Sequence, residues 1–367
     1  MNDKHRPPAF SVCIIARNEA TNIASCLDAL LRIPEAEIIV ADTGSTDGTA
    51  EIAGEKGARV VSFDWTDDFS AARNFAASHA SHDLILAVDA DEVLTDADLP
   101  LFAARVREHP DAVGMILRIS PTFREDGTQS FHERVARCYD RTRFHYVGRI
   151  HENIAPLATD EKTKYYELPL TFLHSGYEAP DKIREKALRD LELLRRALGE
   201  EGPSPYLYYQ IGKCHVALRE QGEAVLSYEK GLAMNPEPDA VYVREMTESC
   251  GYCLLETGRP EKALSLLLSV KERYAYHADF LFLLGLVYMN CARFEEAVDS
   301  FLKATECVSF SVEGCNSFRA CYNIGVITEV LGNLKEAAAW YRRCGDFAPA
   351  VQRLQAFSAD RPSGSSG

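Results

Sequence analysis

The chain has 367 residues, which is more than one ordinary domain needs and suits two. It carries 40 basic and 55 acidic side chains, and the formal net charge of −15 disfavours a surface that binds a nucleic-acid backbone. Hydrophobic residues make up 46% of the chain, which is enough for a core in each half. No apolar run approaches the roughly 20 residues that span a bilayer, so we expect no integral membrane segment. Because the net charge is negative, we also expect no nucleic-acid partner.

Cysteine usage and the two termini predict a reduced, cytoplasmic, soluble protein. The eleven cysteines follow no disulfide framework, and the single CxxC, from Cys250 to Cys253, falls within an apolar helical pattern that favours packing over redox or metal chemistry. The start, "MNDKHRPPAF", lacks the apolar core of a signal peptide. We predict that residues 1–9 are disordered and that residues 358–367 form a flexible tail.

Residues 10–120 alternate between strand and helix periods. Continuous apolar runs predict four strands that are buried on both faces, with an amphipathic helix after each of the first three. The predicted strands are "FSVCIIA", "EIIVADTG", "ARVVSFD" and "LILAVDA". Ser45 or Thr46 is the expected N-cap of the second helix, and Gly57 is its expected stop. This alternation is typical of an α/β domain with a parallel sheet and right-handed crossovers.

From Val113 to Gly176 the helical pattern fades. The segments there read as strands and connecting loops: "VGMILRIS", "ERVARCYD", "FHYVGRIHENI" and "YYELPLTFLHSG". We therefore predict one α/β domain over residues 10–178, with a more irregular second part.

After Pro180 the sequence becomes helical and repetitive, with a predicted linker helix over residues 179–202 and about four repeats over residues 203–357. The repeated positions are Gly212, Gly251, Gly285 and Gly325, then Ala224, Ala263, Ala297 and Ala337, then Tyr228, Leu267, Phe301 and Tyr341. Small residues let paired helices approach closely, and we expect the large residue to fill the gap between units. The pattern resembles the tetratricopeptide repeat, which implies an all-α solenoid with a concave, peptide-binding groove. A purely structural or dimerising solenoid is the alternative.

Polar residues gather at the ends of the predicted strands, where an open parallel sheet binds its ligands. The first strand ends in Ala16-Arg17-Asn18-Glu19, the second in Asp42-Thr43-Gly44-Ser45-Thr46-Asp47 and the fourth in Asp89-Ala90-Asp91. Acidic side chains on one edge repel each other, and a divalent cation with a hydroxyl-rich ligand would relieve the repulsion. There is no GxGxxG and no P-loop motif, so neither a nicotinamide cofactor nor a P-loop ATPase is expected. "DTGSTDGT" alone also fits an Asx-turn.

Four segments together resemble the nucleotide-sugar half of a family 2 glycosyltransferase, in the same order and spacing. They are "IIARNEATNIASCLDAL", "IIVADTGSTDGTAEIA", "FSAARNFA" and "LILAVDADE". The resemblance covers about residues 10–176. It implies a GT-A fold with a mostly parallel sheet, a UDP-sugar as donor substrate, and Mn²⁺ or Mg²⁺ as cofactor.

The resemblance also implies roles for individual residues. Asp42 would accept a hydrogen bond from the uracil N–H, although Thr43 stands where the family usually has a second aspartate. Arg73 would reach the base or the diphosphate, with a salt bridge to Asp67 or Asp68 as the alternative. The implied nucleotide-sugar-binding residues are Ala16, Arg17, Glu19, Asp42, Ser45, Arg73 and Asp89. The implied metal ligands are Asp89, Asp91 and His174.

The acids of the D-x-D segment divide between ribose and cation in this resemblance. Asp89 would hold the ribose, and Asp91 would ligate the hard cation that neutralises the departing diphosphate. Glu92, the third acid, has no implied ligand and is expected only to cap the following turn.

An inverting transfer also needs a base that takes the proton of the acceptor. "GRIHENI" offers His151 and Glu152, "TFLHSGY" offers His174, and His132 with Glu133 form a further pair. We predict that Glu152 is the base and that His174 closes the metal or diphosphate site. His151 and Glu133 remain open alternatives for the base.

The combination resembles bacterial peptide and protein glycosyltransferases, including the sublancin S-glycosyltransferase type and flagellin-modifying enzymes. It implies transfer of glucose or N-acetylglucosamine to a Ser, Thr or Cys side chain of a polypeptide that the repeats hold, such as flagellin or a small ribosomal peptide. One alternative is transfer to a lipopolysaccharide core or another glycan, with the repeats used for assembly. Another is a repeat scaffold with a degenerate sugar-binding domain. A homodimer through the exposed repeat ends also stays open.

Overall fold

The computed structural model describes residues 8–34, 36–124, 127–158, 162–174 and 180–359, without the side chains of residues 122–129, 180–182 and 358–359. By their internal contacts the residues divide into two compact units. The first unit comprises Met1–Pro121 and His132–Ala179, and the second comprises Thr122–Phe131 and Pro180–Gly367. The predicted disordered start falls largely outside the described residues, as does the predicted flexible tail.

The first unit is built on a sheet with helices against it. Its strands are β1 (Ser11–Ala16), β2 (Glu37–Asp42), β3 (Arg59–Ser62), β4 (Leu84–Asp89), β5 (Glu92–Ala97), β6 (Val113–Arg124), β7 (Gly127–Asp140), β8 (Phe144–Val147), β9 (Asn153–Pro156) and β10 (Tyr165–His174). Its helices are α1 (Ile23–Leu30), α2 (Thr49–Glu55), α3 (Phe69–Ser78) and α4 (Leu99–Glu108). The predicted strands and helices of residues 10–120 are confirmed, while β5 and α4 were not predicted.

The eight-stranded sheet runs in the order β3-β2-β1-β4-β7-β6-β10-β5. The pairings among β3, β2, β1 and β4 are parallel, as is that of β6 with β10. The pairings of β4 with β7 and of β10 with β5 are antiparallel. The prediction of a mostly parallel sheet is therefore confirmed, and β8 and β9 form a separate hairpin.

The central strands are buried on both faces, as their continuous apolar runs require. In β1, Val12 and Ile14 belong to a core cluster that includes residues of α1, while Cys13 lies in a second cluster with residues of α3. Parallel register then aligns the strand ends, with Ala16 opposite Asp42 and Ile15 opposite Asp89. The sheet thereby places the two aspartates at one edge.

The predicted cap of α2 is wrong, because neither Ser45 nor Thr46 occupies the N-cap position. Gly48 does, with a φ of +87° that suits glycine. The Asp47 carboxylate accepts a hydrogen bond from the backbone N–H of Thr49 at 3.1 Å and so satisfies a first-turn donor. Gly57, with a φ of +90°, follows the end of the helix as predicted.

The second unit contains ten helices among the residues that the structure describes. They are α5 (Pro180–Glu201), α6 (Pro205–Ala217), α7 (Gln221–Ala233), α8 (Val241–Glu256), α9 (Pro260–Tyr274), α10 (Ala278–Asn290), α11 (Phe294–Glu306), α12 (Phe318–Val330), α13 (Leu334–Arg342) and α14 (Ala348–Ala359). The predicted all-α repeat region is confirmed. The helix predicted as a linker, α5, packs against α6.

The repeated glycines mark the closest approach of paired helices. A Cβ added to Gly212 would lie 2.2 Å from the Tyr228 ring, and one added to Gly285 would lie 2.7 Å from the Phe301 ring. These large residues therefore pack inside a helix pair, which corrects the expectation that they fill the gap between units. Gly251 is the exception, because its nearest neighbour is Leu283 of the following pair at 2.9 Å.

The CxxC segment lies in the core of the second unit. Cys250 and Cys253 are both buried, and burial raises the pKa of the Cys250 thiol to about 12 and that of Cys253 to about 11. Thiols this weakly acidic fit the predicted packing role. Within the described part of the chain, no helix has the length and apolarity needed to cross a membrane.

Candidate functional site

The loop after β2 is organised around Asp42. Its carboxylate accepts hydrogen bonds from the backbone N–H groups of Gly44, at 3.3 Å, and Ser45, at 3.2 Å. The Ser45 hydroxyl in turn accepts from the N–H of Asn18 at 3.0 Å, which joins this loop to the loop after β1. The Asx-turn geometry is thus present, and Asp42 and Ser45 lie together at the sheet edge as predicted.

Thr43, the departure from the family pattern, has a structural place. It is buried, and both its backbone N–H, at 2.9 Å, and its hydroxyl, at 3.1 Å, donate to the carbonyl of Ala16. Arg17 follows on the exposed surface, and the backbone N–H of Glu19 donates to the Thr49 hydroxyl at 2.8 Å. The structure therefore brings Ala16, Arg17 and Glu19 beside the Asp42 loop.

Asp89 ends β4 between two buried guanidinium groups. Arg73 Nη2 donates to one carboxylate oxygen at 2.7 Å, and Arg137 Nη2 donates to the other. Burial by itself would raise the pKa of Asp89, but the charges of Arg137 and Arg73 hold this pKa well below its usual range. Asp89 is consequently an ionised carboxylate paired to arginines.

Glu92 was expected only to cap a turn, and the structure corrects this. Its side chain is fully buried and accepts hydrogen bonds from the backbone N–H of Asp89, at 3.0 Å, and from Arg137 Nη2, at 3.1 Å. Arg118 Nη1 lies 3.3 Å from the same carboxylate, and Arg118 Nη2 donates to Glu133 at 2.8 Å. Buried carboxylates need such partners, because an unpaired buried charge is costly.

Arg118 and Arg137 contact predicted site residues, but neither arginine was predicted from the sequence. A weak signal was present, because each arginine interrupts an otherwise strand-like run, "VGMILRIS" and "ERVARCYD". The arginines also correct the expectation that a cation and a ligand are needed to offset the repulsion among the strand-end acids, since guanidinium groups already do so at Asp89 and Glu92.

Arg73 holds a second carboxylate, that of Glu152, with Nε to Oε1 at 2.5 Å. Neither suggested alternative partner takes this place. Asp68 caps α3 by accepting from the N–H of Ala71, and Asp67 accepts from the indole N–H of Trp65. Arg73 is therefore buried between two predicted site residues.

The other base candidates occupy different surroundings. His151 lies on the loop between β8 and β9 with a left-handed φ of +52°, and its carbonyl accepts from the Asn153 amide at 3.2 Å. Glu133 follows His132 on β7 and is paired with Arg118.

Asp91 and His174 meet although 82 residues separate them in the sequence. His174 Nε2 lies 3.0 Å from Asp91 Oδ2, and this hydrogen bond raises the pKa of His174. The antiparallel register of β10 with β5 puts His174 opposite Glu92, which explains the encounter. Asp89 faces the arginines instead, and among the described side chains no three His, Cys, Asp or Glu residues cluster as a metal site.

The second unit has a groove of about 770 Å³. Its lining is mainly apolar and aromatic, with two cationic residues. Representative lining residues are Lys213, Val216, Tyr252, Leu286, Arg319 and Tyr322. They belong to α6, α8, α10 and α12, the first helices of the four successive pairs, so the groove runs across the repeats.

Two family models match segments of the chain. The sequence model of Glycosyl transferase family 2 matches residues 11–159. The tetratricopeptide repeat model matches residues 205–238, 278–306 and 318–350, and these ranges do not include the pair formed by α8 and α9.

Curated relatives resemble parts of the chain. A TPR repeat-containing protein of Synechococcus elongatus is 51% identical over 84 residues, which is 23% of this chain and 21% of that protein. The SPbeta prophage-derived glycosyltransferase SunS of Bacillus subtilis is 27% identical over 242 residues, which is 62% of this chain and 54% of SunS. The chain thus spans about half or less of the length of these relatives.

A solved structure of YrrB, described as a TPR protein with an unusual peptide-binding site, is 22% identical, with a TM-score of 0.40. The match covers 48% of this chain and 84% of YrrB. The likeness is too weak to add to the fold already described.

Proposed function

We propose that this chain is an inverting, metal-dependent glycosyltransferase, because the sequence model of glycosyl transferase family 2 matches its residues 11–159. It moves glucose or N-acetylglucosamine from a UDP-sugar to a Ser, Thr or Cys side chain of a polypeptide. The observation that carries this proposal is the placement of Asp42 and Asp89 at one edge of the sheet, with Arg73 joining Asp89 to Glu152 and His174 paired with Asp91.

The residues at the ends of β2 and β4 would bind the donor. Asp42 is held by backbone N–H groups, so its carboxylate is already oriented when it accepts the uracil N–H. Asp89 is ionised and fixed by two arginines, and it would accept hydrogen bonds from the ribose hydroxyls. The resemblance of the loop after β1 adds Ala16, Arg17 and Glu19 beside the base.

The cation fits best at Asp91 and His174. A carboxylate oxygen and an imidazole nitrogen already face each other there at 3.0 Å, and both are ordinary ligands of divalent metals. Mn²⁺ or Mg²⁺ bound by these residues would neutralise the negative charge that develops on the departing diphosphate. Because His174 must be neutral to bind a cation, its raised pKa makes a proton the competitor of the metal.

Glu152 is the base in this proposal. Its contact with Arg73 engages Oε1 and fixes the direction of the carboxylate, so that Oε2 can accept the proton of an acceptor hydroxyl or thiol. His151, which precedes Glu152 in the sequence, is the second proposed catalytic residue.

The repeat groove would hold the acceptor polypeptide. Aromatic and aliphatic side chains offer apolar contact area, and Lys213 and Arg319 offer hydrogen bonds to carbonyl or carboxylate groups. Binding energy far from the reacting atoms positions the acceptor side chain for attack. Flagellin and small ribosomal peptides are acceptors of this class, and a homodimer is compatible with the proposal.

The activity is tested by incubating the full chain with Mn²⁺ and UDP-glucose or UDP-N-acetylglucosamine, with and without a polypeptide acceptor. UDP release and the intact mass of the acceptor are the readouts. Asp91→Ala should abolish metal-dependent UDP release, whereas Asp111→Asn, at a surface ion pair with Lys164, should not. UDP release that survives Asp91→Ala unaltered contradicts the metal assignment.

The base and the acceptor groove have separate tests. Glu152→Gln should lower transfer by a factor of roughly 10² while UDP binding stays near normal. Val216→Glu, in the groove, should raise the KM for a polypeptide acceptor, and Leu226→Glu, an exposed position on α7 that does not line the groove, is its control. Equal KM values for the polypeptide acceptor in both variants contradict binding of the acceptor in the groove. Transfer to a glycan, with no transfer to a polypeptide, supports the alternative of a lipopolysaccharide core or another glycan as acceptor.

A further inference from the structure

We infer that Arg137 is a positioning residue that fixes the Asp89–Asp91 turn for donor binding, acting jointly on Asp89 and Glu92. The inference rests on the proposed function of this edge of the sheet. It concerns a residue on β7, a strand outside the four segments that carry the family resemblance.

Arg137 makes contacts that connect the two sides of the turn. One nitrogen, Nη2, donates to Asp89 Oδ2, the last residue of β4, and to Glu92 Oε1, the first residue of β5, at 3.1 Å. Glu92 returns to the turn through its other oxygen, which accepts the backbone N–H of Asp89 at 3.0 Å. The Asp89 side chain and backbone are thus both restrained by one guanidinium and one carboxylate.

The restraint extends to the Asp91–His174 pair. Asp91 lies between the two residues that Arg137 holds, and His174 is paired in register with Glu92 across β5 and β10. A shift of Glu92 would therefore move the backbone on both sides of the 3.0 Å contact between Asp91 and His174. The hydrogen bonds of Arg137 described above are made to Asp89 and Glu92, so it acts on the Asp91–His174 pair through Glu92.

Charge alone does not explain why an arginine occupies this position. Glu92 also has Arg118 and Asp89 also has Arg73, so each carboxylate keeps one cation without Arg137. Arg137 is itself buried, at 6% side-chain exposure, and its Nε finds no hydrogen-bond partner within the described part of the chain. An extra buried guanidinium with an unsatisfied donor is costly for stability, so holding Asp89 and Glu92 in one arrangement is the property that it supplies.

Arg137→Lys separates geometry from charge. Lysine keeps the positive charge, but its ammonium rotates freely, whereas the guanidinium plane fixes the directions of the Nη2 donors that bind Asp89 and Glu92. Arg134→Lys is the matched control, because Arg134 lies on the same strand and pairs with Glu167 at an exposed site, at 38% and 61% side-chain exposure. Glu92→Gln tests the same link from the other side, since it keeps an acceptor for the Asp89 N–H and removes the charge that faces Arg137.

Three measurements on the full chain test the inference. Calorimetric titration with UDP, with and without Mn²⁺, should show about tenfold weaker binding in Arg137→Lys and Glu92→Gln and no change in Arg134→Lys. Hydrogen exchange should be faster at the Asp89 amide in the first two variants, a readout that needs neither donor nor metal. In UDP-sugar hydrolysis the same variants should raise KM for the donor more than they lower kcat.

The outcomes separate the inference from the function on which it rests. A wild-type protein that binds no UDP contradicts the proposed donor, while the exchange rate at Asp89 still tests the restraint. Unchanged exchange at Asp89 and unchanged UDP affinity in Arg137→Lys overturn the positioning role. Faster exchange throughout β4, β5 and β7, together with a lowered unfolding midpoint in both Arg137→Lys and Glu92→Gln, also overturns it, because the residue would then be merely structural.

Discussion

Each of the two units contains a different characteristic kind of internal contact. The edge of the sheet in the first unit depends on charged pairs between distant strands, in which Arg73, Arg118 and Arg137 face Asp89 and Glu92. The helix pairs of the second unit depend on close apolar contact, in which a glycine of one helix receives an aromatic ring of the other, as at Gly212 and Tyr228.

The difference shows where each region can tolerate change. A charge network has directional partners, so removing one member leaves another charge buried and unpaired. A close helix contact has a volume limit, so adding one methyl group to it is enough to disturb it. The chain contains two tryptophans, Trp65 in the first unit and Trp340 in the second, so Trp340→Phe and Trp65→Phe backgrounds let fluorescence follow each unit separately.

The largest expected effect is on the first unit. Arg73→Met leaves Asp89 with Arg137 and the more distant Arg118, removes the ion pair of Glu152 with Arg73, and should lower the free energy of unfolding by about 3–5 kcal/mol. Denaturant unfolding followed by Trp65 fluorescence measures the change. Arg134→Met, at an exposed pair, should cost at most about 1 kcal/mol. Equal effects of the two variants would mean that the buried network does not stabilise the unit.

A smaller effect is expected in the repeats. Gly212→Ala places a Cβ 2.2 Å from the Tyr228 ring and should destabilise the second unit by about 1–3 kcal/mol, read by Trp340 fluorescence. The control is Gly222→Ala in the neighbouring helix, where a Cβ meets nothing within 4 Å. There alanine should be neutral or stabilising by up to about 1 kcal/mol. A neutral Gly212→Ala would show that the helix pair can open without loss.

The next prediction concerns pH and the second unit. Burial raises the pKa of Glu248 to about 8, so the folded state keeps a proton that the unfolded state loses near its ordinary pKa of 4.5. Stability from this group is full below pH 4.5 and is lost as pH rises towards 8, by at most about 1.4 kcal/mol per pH unit. His277, whose pKa burial lowers to about 3, opposes this only below about pH 6.5.

The window from pH 6.5 to 8 therefore excludes the titration of His277. Unfolding of the Trp65→Phe protein, followed by Trp340, should show stability that falls across this window. Glu248→Gln should flatten the slope whatever its effect on the absolute stability. A slope that is identical in the two proteins assigns the titration to another group.

The smallest expected effect is the contribution of His174 to the pH dependence of the stability of the first unit. The hydrogen bond with Asp91 raises the pKa of His174, so its contribution to stability is present below about pH 6.5 and is lost as pH rises through the folded-state value. The pair is partly exposed, so the change should be slight. Unfolding of the Trp340→Phe protein with a chelator present measures it, and His174→Asn should remove it. A rise in stability over the same range would contradict the assigned direction.

Local patterns predicted much of the fold. Continuous apolar runs located β1 to β4 because a strand that is buried on both faces has no polar side, and glycine spacing located the helix pairs because the pairs repeat. β5 was missed because its sequence, "EVLTDA", is half polar and its partner, β10, lies more than 70 residues away. The cap of α2 was placed wrongly because a favourable φ at Gly48 and the Asp47 carboxylate together outweighed the hydroxyls of Ser45 and Thr46.

The sequence by itself determined which strand ends carry the acids, because parallel strands place their carboxyl ends at one edge. The sequence therefore located Asp42, Asp89 and Asp91, but it did not identify the residues with which they pair. Only the tertiary structure decided that Asp89 is paired with Arg73 and Arg137, and that Glu92 is buried between Arg137 and Arg118. These partners come from strands and a helix brought together by sheet order and register, which are long-range properties that no local spacing contains.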